Sequence, residues 1–473
     1  MSQSEHMSEQ ELRNQSHLEI YAGASLLVSE NNVVKTIWFE GSQSKEAQER
    51  YHKITETLDR GFLDEQLNAA KSATIGSVFE TKLLDTQKRA LEEIVTSVTA
   101  QRGRALVEII LLQFAMKAIC PQQDVRLHKG SRGNEDKSKK RQESASTIFE
   151  EDGNSEQRSR FSWREGISMR RLDDTYVVPM LRRQGLLRMN EYGAFMTRTF
   201  AENYPYSLFY KAEISGAKRR WLECIDQLEQ GLLDPEAALL YVLDLLWKSS
   251  EQFKNLVQAT MSKLEALLIN NPTPSLQEIH TLIENHINHS EARARLLEVA
   301  MHSLLQALED LKVDIGGTLK PLMPMRTANQ KHRNFGDVEV IAGDFVIESW
   351  DAKYDNAYLS DALDSFVEKL RGKDISELTF GYVLLPEKKA YADVDRKVIE
   401  IASEYGIKVH IFSLAEWVQE QLARAFAEDV PETNVAKGWL QAYVESLALL
   451  REDKAPIDEP TYDWLRSLQN VLE

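Results

Sequence analysis

Residues 346 to 355 read VIESWDAKYD. Val346 and Ile347 follow a Gly-Asp turn and start a β-strand, and the far end of that strand carries Asp351 and Lys353, two residues apart. Side chains on a strand alternate faces, so Asp351 and Lys353 share one. By the same alternation Phe345 and Ile347 precede them on that face, so the charges stand where an apolar layer gives way to a cleft. Upstream, GDVEV (336–340) supplies Asp337 at the start of the preceding strand, and AGD (342–344) is the turn. A three-residue turn pairs Ile341 with Phe345 and sets Asp337 beside Ser349, diagonal to Asp351, with both carboxylates in reach of one metal ion. A two-residue turn sends Asp337 to the other face unless a bulge or bend intervenes. Glu348 shares the face of Val346 and Trp350 and is expected outside the site.

Working outward, strand-like runs from residue 313 onward (GDVEVIA, DFVIESW, LTFGYVLL, IKVHIFS) alternate with helical ones (YLSDALDSFVEKLRG, ADVDRKVIEIASEY, LAEWVQEQLARAFAE). Strands followed by helices predict an α/β sheet. Two amphipathic helices, AKGWLQAYVESLALLRE and PTYDWLRSLQNVL, close the sequence. Residues 217 to 312 read as helix, broken by NNPTPS at 270 to 275. His280, His286 and His289 crowd this stretch, but their spacing is not the H-x-x-x-H of a helical metal pair, which predicts satisfied or surface histidines. Residues 43 to 120 are also helical by periodicity, and RALVEIILLQFAMKAI is apolar enough for a buried core helix. SLLVSENNVVKTIWF before them fits a β-hairpin around Asn31-Asn32.

Between the helical regions, residues 129 to 160 bury too little apolar surface to offset ordering entropy and read as a linker. DDTYVVPMLRRQGLLRMNEYGAFMTRTFAENYPY follows. Asp173 or Asp174 caps a helix running to Gln184, with a kink or restart at Pro179 and an end at Gly185. A strand, a turn at Glu191-Tyr192-Gly193, a second strand and a helix from Thr197 or Thr199 come next. That order is similar to a winged-helix element, in which a helix enters the major groove and the wing touches phosphates. Arg182, Arg183, Arg188, Arg198 and Lys211 are the candidate DNA contacts.

Net charge bounds the partners. The chain has 473 residues and a formal charge of −17, which argues against coating nucleic acid by bulk attraction. The basic residues are segregated: Arg126 to Arg141 holds seven Lys or Arg against two acids, and Arg158 to Glu223 holds 13 against seven. A selective nucleic-acid binder shows this pattern, as does a solvated face by chance. No apolar run reaches the roughly 18 residues of a membrane span, and the start of the sequence is polar and acidic, unlike a signal peptide. Two cysteines, Cys120 and Cys224, exclude a disulfide framework and a thiolate zinc site and suit a reducing cytoplasm. No G-x-x-x-x-G-K-[ST] is present, so no nucleotide cofactor is expected.

Two carboxylates and a lysine on adjoining strands suit phosphodiester cleavage with Mg²⁺, which takes oxygen ligands and offsets charge on the transition state. D/E-x-K alone is a weak signal, since Glu80-Thr-Lys82, Asp310-Leu-Lys312, Asp395-Arg-Lys397 and Glu452-Asp-Lys454 also fit it. The strand, the upstream acid and the following helix single out Asp351 and Lys353. GDVEV…FVIESWDAKYD resembles the PD-(D/E)xK nucleases over about residues 290 to 425, with Gly336 in the place of the proline. The resemblance implies a restriction-endonuclease-like α/β core with a mixed central sheet. Asp337 and Asp351 would hold the metal and Lys353 would act beside it. Glu298, on the helix SEARARLLEVAMHSLLQALEDL (290–311), would be the added glutamate. A second Arg-x-Arg before a glutamate, in RGRALVEIILL (102–112), echoes that helix by composition.

The expected organisation is thus α+β and multidomain. It has a helical domain at 1–128, a linker at 129–160 and a basic winged-helix-like and helical DNA-recognition region at 161–275. A nuclease domain at 276–430 and C-terminal helices at 431–473 follow. The expected activity is that of a Mg²⁺-dependent DNA endonuclease of the type II restriction or a related prokaryotic defence class, acting as a homodimer on double-stranded DNA. The alternative is a non-catalytic DNA-binding or assembly protein that keeps the nuclease fold, and RNA cleavage is a third reading.

Overall fold

Helices form in this chain where apolar residues recur three and four apart, and strands where they alternate or run together between turn residues. The computed structural model describes residues 16–21, 25–30, 33–38, 44–72, 78–98, 103–128, 166–187, 193–196, 198–201, 206–207, 210, 212–322, 334–354, 358–371, 378–386, 392–449 and 460–472. The expected linker at 129–160 lies outside them. The chain divides into two compact units, Met1–Glu251 and Gln252–Glu473.

The first unit opens with an antiparallel meander of β1 (Ser16–Tyr21), β2 (Ser25–Glu30) and β3 (Val33–Trp38). Glu30 pairs with Val33, giving the hairpin that the Asn31-Asn32 pair predicts. Helices α1 (Lys45–Asp59), α2 (Phe62–Lys71), α3 (Asp85–Thr96), α4 (Arg104–Ile119), α5 (Lys218–Glu229) and the long α6 (Pro235–Asn270) follow. Helix α4 is buried on nearly every side, as its composition requires. Its one internal amide, Gln113, accepts from Trp221 Nε1 at 2.8 Å and donates to the Val125 carbonyl at 2.9 Å, so the buried polar group is satisfied.

A single apolar core in this unit joins residues 47–125 with residues 167–246. The expected boundary at 129–160 therefore separates no cores: that stretch interrupts the sequence while the apolar residues on either side pack together. The division between the units falls at Glu251, inside α6, rather than at 275.

The region read as winged-helix-like differs from expectation where it is described. Its first helix begins at Met169, passes through a π-turn at Asp173–Val177 and continues as Val178–Arg183. Asp173 is buried within the helix and caps nothing. The π-turn, with the Val178 N–H bonded to the Asp173 carbonyl, loosens the ladder just where Pro179 would clash with it. Gly185 ends the helix as predicted, in the left-handed conformation. In place of the expected second strand, Ala194–Met196 forms a 3₁₀ turn; the helix expected after it is present as the short Arg198–Ala201. The expected first strand beyond Leu187 and the turn at Glu191-Tyr192 lie outside the described residues.

The second unit contains α7 (Leu276–Asn288), α8 (Arg293–Asp310), β4 (Thr318–Leu319), β5 (Val338–Ala342), β6 (Phe345–Lys353), α9 (Leu359–Leu370), β7 (Thr379–Leu384), α10 (Ala392–Tyr405), β8 (Lys408–Ser413), α11 (Leu414–Ala427), α12 (Glu432–Leu449) and α13 (Thr461–Val471). The strands lie in the order β4-β5-β6-β7-β8; β4, β5 and β6 pair antiparallel, and β6, β7 and β8 pair parallel. The mixed sheet is as expected from sequence, and so is the succession of helices and strands except for the short β4, which adds a strand between α8 and β5.

Apolar residues cover both faces. Val338, Val340, Trp350, Ala352 and Val383 face α8, α11 and α12, while Phe380, Tyr382, Leu384, Val409 and Ile411 face α9 and α10. Helix α8 lies along α12, where Trp439 Nε1 donates to the Ala300 carbonyl at 2.9 Å. His286 is structural: its ring nitrogens bond the Tyr443 hydroxyl and the Trp464 carbonyl, both at 2.8 Å, and burial pushes it down to about 4. Among the described residues no helix is long and apolar enough to cross a membrane.

Trp350 lies in β6, and Gly381 lies beside it on β7. A Cβ at 381 would stand 2.3 Å from the indole, so glycine here is the space the tryptophan occupies. Gly381→Ala is expected to cost about 1–3 kcal/mol through overpacking, read as a lower urea midpoint at unchanged slope.

Candidate functional site

The sheet resolves the ambiguity left by the turn. Ala342 pairs with Phe345, so the connection has two residues, Gly343 and Asp344. By that register alone Asp337 would lie opposite Trp350 and face away from Asp351. The ladder shifts between Val340 and Ile341, however: Ile341 pairs with Val346, but Val340 pairs with Glu348, leaving Ile347 as an extra residue in β6. Past this bulge Val338 pairs with Trp350, and one further step puts Asp337 opposite Asp351 on one face.

The bulge also corrects the expected face of Ile347. It packs with Trp350 against the α8 side, not ahead of Asp351. Glu348 takes that side too, accepting from Trp350 Nε1 at 2.5 Å and from Arg424 at 2.7 Å, so it stands outside the site as expected.

Asp337 is anchored to β6 at both ends: its N–H donates to the Trp350 carbonyl at 2.8 Å, and its Oδ2 accepts the Ala352 N–H at 3.0 Å. Gly336 fits closely, because a Cβ there would lie 2.6 Å from the Trp350 carbonyl oxygen. Lys353 Nζ forms an ion pair with Asp351 Oδ1 and lies 5.5 Å from the centre of the Tyr382 ring. Helix α8 brings Glu298 toward the group, paired with buried Arg295 one turn earlier.

Charge crowding dominates the electrostatics. Burial, then Asp351 and Glu298, push the Asp337 carboxyl well above the usual range. Burial, with a contribution from Asp351, also raises Glu298 against the pull of Arg295. Burial works against the charge on Lys353, but Asp351, Asp337 and Glu298 outweigh it and hold the amine above its ordinary value. Lys353 is thus an ammonium ion that neutralises part of a three-carboxylate cluster.

The structure therefore brings Asp337, Asp351, Lys353 and Glu298 together. It adds groups that sequence reasoning missed. Lys369 of α9 donates to the Phe335 carbonyl at 2.6 Å, two residues before Asp337, and burial lowers its pKa. Tyr382, directly beside Asp351 on β7, donates to the Ala362 carbonyl at 2.8 Å. Ser349, on the floor of the site, keeps a buried hydroxyl with no partner among the described residues. Strand alternation from Asp351 could have found Ser349; nothing local marks Lys369.

The donor set suits a hard cation. Asp337 Oδ1 and Asp351 Oδ2 accept no hydrogen bond from a described residue, and the carboxyl crowding is what a divalent ion relieves. Two carboxylates fit Mg²⁺, which keeps waters and phosphate oxygens as its other ligands. Among the described residues no group of three or more His, Cys, Asp or Glu side chains is set to hold a metal by itself.

The candidate DNA contacts fare differently. Arg182 is exposed at the end of its helix. Arg183 is tied to Asp64 by bonds of 2.9 and 2.7 Å and is not free for phosphate. Arg188, Lys211 and the side chain of Arg198 lie outside the described residues. Arg170, Arg219 and Arg220 are paired with Asp174, Glu223 and Glu93, so acids of the same unit answer much of the described basic stretch.

A carboxyl with a higher pKa in the folded than in the unfolded chain withdraws stability as pH rises from the unfolded value, about 4. Asp337→Asn removes that loss. Without divalent cations the variant is expected to be about 1 kcal/mol more stable than wild type near pH 8, the gap closing near pH 4, as read by urea midpoints. A gap of equal size at both pH values would contradict the crowding.

No family model matches the sequence, and none of the curated proteins matches it either.

Proposed function

We propose that the second unit is a Mg²⁺-dependent nuclease that hydrolyses phosphodiester bonds of double-stranded DNA. The observation that carries this reading is the bulge-set pairing of Asp337 with Asp351, with Lys353 on the same face and Glu298 beside them. Asp337 and Asp351 would hold the ion, which when bound supplies charge for the developing phosphorane and lowers the pKa of a water. With its own charge shared, Asp351 would hold Lys353 less tightly. The lysine ammonium would serve the anionic transition state, a role that its elevated pKa favours over proton abstraction. Arg295 offsets part of the charge that Glu298 adds to the group.

Cutting both strands of a duplex needs two such sites and one chain offers one, so the working form on this reading is a homodimer. A type II restriction or related prokaryotic defence role follows from the resemblance to PD-(D/E)xK nucleases. DNA contact by the first unit would run through Arg182.

One observation favours a second reading. The Asp351–Lys353 ion pair is satisfied within the chain, as it would be in a non-catalytic DNA-binding or assembly protein that retained the fold. Plasmid incubated with protein and Mg²⁺, with and without EDTA, separates the two. The nuclease reading expects metal-dependent nicking that falls by roughly 10²-fold or more in Asp351→Ala and in Lys353→Ala, with circular dichroism unchanged. Binding without cutting under Mg²⁺ and Mn²⁺ would establish the second reading. Competition by structured RNA tests the substrate class. Arg182→Glu is expected to reduce the salt dependence of DNA binding by about one phosphate contact; an unchanged slope removes Arg182 from the interface.

A further inference from the structure

The first unit holds a buried carboxyl pair that the proposed chemistry does not use. Glu108 is the lone acid in the apolar run of α4, and Asp173 belongs to the π-turn; both are fully buried. Glu108 Oε1 accepts the Ala194 N–H at 2.5 Å. Glu108 Oε2 and both oxygens of Asp173 meet no donor among the described residues. The backbone of Gly193 closes over the pair: a Cβ there would lie 2.4 Å from Asp173 Oδ2 and 2.7 Å from Glu108 Oε1. Two acceptor-only carboxylates buried this close together repel strongly, and a single shared proton removes the conflict.

The surrounding charges do not substitute for that proton. Asp174, on the same turn, is half-buried and takes Arg170 at 3.6 Å. Arg104 lies one turn earlier on α4 and is itself buried. His128, whose ring lies 5.1 Å from that of Phe195, is pushed by burial down to about 3 and is neutral. Tyr176 points away, to Asp59. The turn at Ala194–Met196 carries no titratable side chain. Burial raises both carboxyls, and the Glu108 charge raises Asp173 further, so the pair holds one proton; Glu108 already accepts the Ala194 N–H, which leaves Asp173 as the donor within the pair.

We propose that Asp173 carries a proton which it donates to Glu108, and that this shared proton latches the Gly193–Ala194 backbone onto α4. When the proton passes to solvent as pH rises, the paired anions repel and the latch opens. The sign follows from linkage: both groups are protonated, folded or unfolded, below about pH 4, and the closed form loses stability as pH climbs from there toward the raised folded value. The inference is independent of the nuclease reading.

Amide hydrogen exchange on the full chain tests it, read at Ala194 from roughly pH 6 to pH 10 and corrected for intrinsic exchange. In the wild type the opening constant is expected to rise by up to about tenfold per pH unit while the closed form keeps the proton that the open form has lost, and to level off once the closed form loses it too. In Asp173→Asn, whose side-chain N–H stands in the proton's place, the opening constant should stay flat. Glu108→Gln provides the same replacement from the other side if Asp173→Asn fails to fold. No pH response in the wild type, or an equal response in a folded carboxamide variant, overturns the proposal.

Discussion

One inserted residue in β6 governs the candidate site. The two-residue connection at Gly343-Asp344 fixes the register at the open end of the β5-β6 hairpin, and that register alone would place Asp337 on the opposite side of the sheet from Asp351. Ile347 absorbs the mismatch. Because it and Glu348 both turn toward α8, the strand keeps its apolar layer against that helix while every later residue changes face. Bulges re-aim side chains in this way and leave only a local break in the ladder. The remaining contacts hold what the bulge arranges: the Ala352 N–H on Asp337, the ion pair of Lys353 with Asp351, and the lysine of α9 on the Phe335 carbonyl.

The same arrangement concentrates like charge. Asp351, Asp337 and Glu298 all act on one lysine, and Arg295 pairs with Glu298. Burying such a group destabilises a fold, and sites that keep one retain it for what it binds. On the proposed reading Lys353 and a divalent cation compete for the same carboxylate charge. The lysine is the resident counter-ion of these carboxylates, and their charge accounts for its elevated pKa.

Much of this half was legible in the sequence because its elements are local. The succession of strand and helix from 313 onward, the pairing of Asp351 with Lys353, and the exclusion of Glu348 all follow from periods of two and 3.6. The bulge was not legible. Nothing in VEVIAGDFVIES distinguishes a clean ladder from a shifted one, since Val346, Ile347 and Val340 suit either face, and the face assigned to Ile347 was wrong for that reason. In the first unit the polar stretch at 129–160 looked like a border, yet the residues on either side of it share one core. Asp173 looked like a cap because acids before an apolar run usually are. It is interior because Glu108, a long way off in sequence, gives it a partner. The winged-helix-like pattern failed at Ala194–Met196, where Ala-Phe-Met suits a helical turn as well as a strand and packing decided.

The sheet of the second unit is open, and its two margins are unlike. At one side β4 covers only two positions of β5, and at the other β8 has no further neighbour among the described residues. A bare margin offers main-chain donors and acceptors to any extended polypeptide, which is how unwanted polymers begin. Here β8 is six residues long and starts on an exposed lysine, Lys408. Brevity and charge at that rim limit recruitment of a foreign strand, so the unit keeps an open sheet without the hazard that a long apolar border would bring.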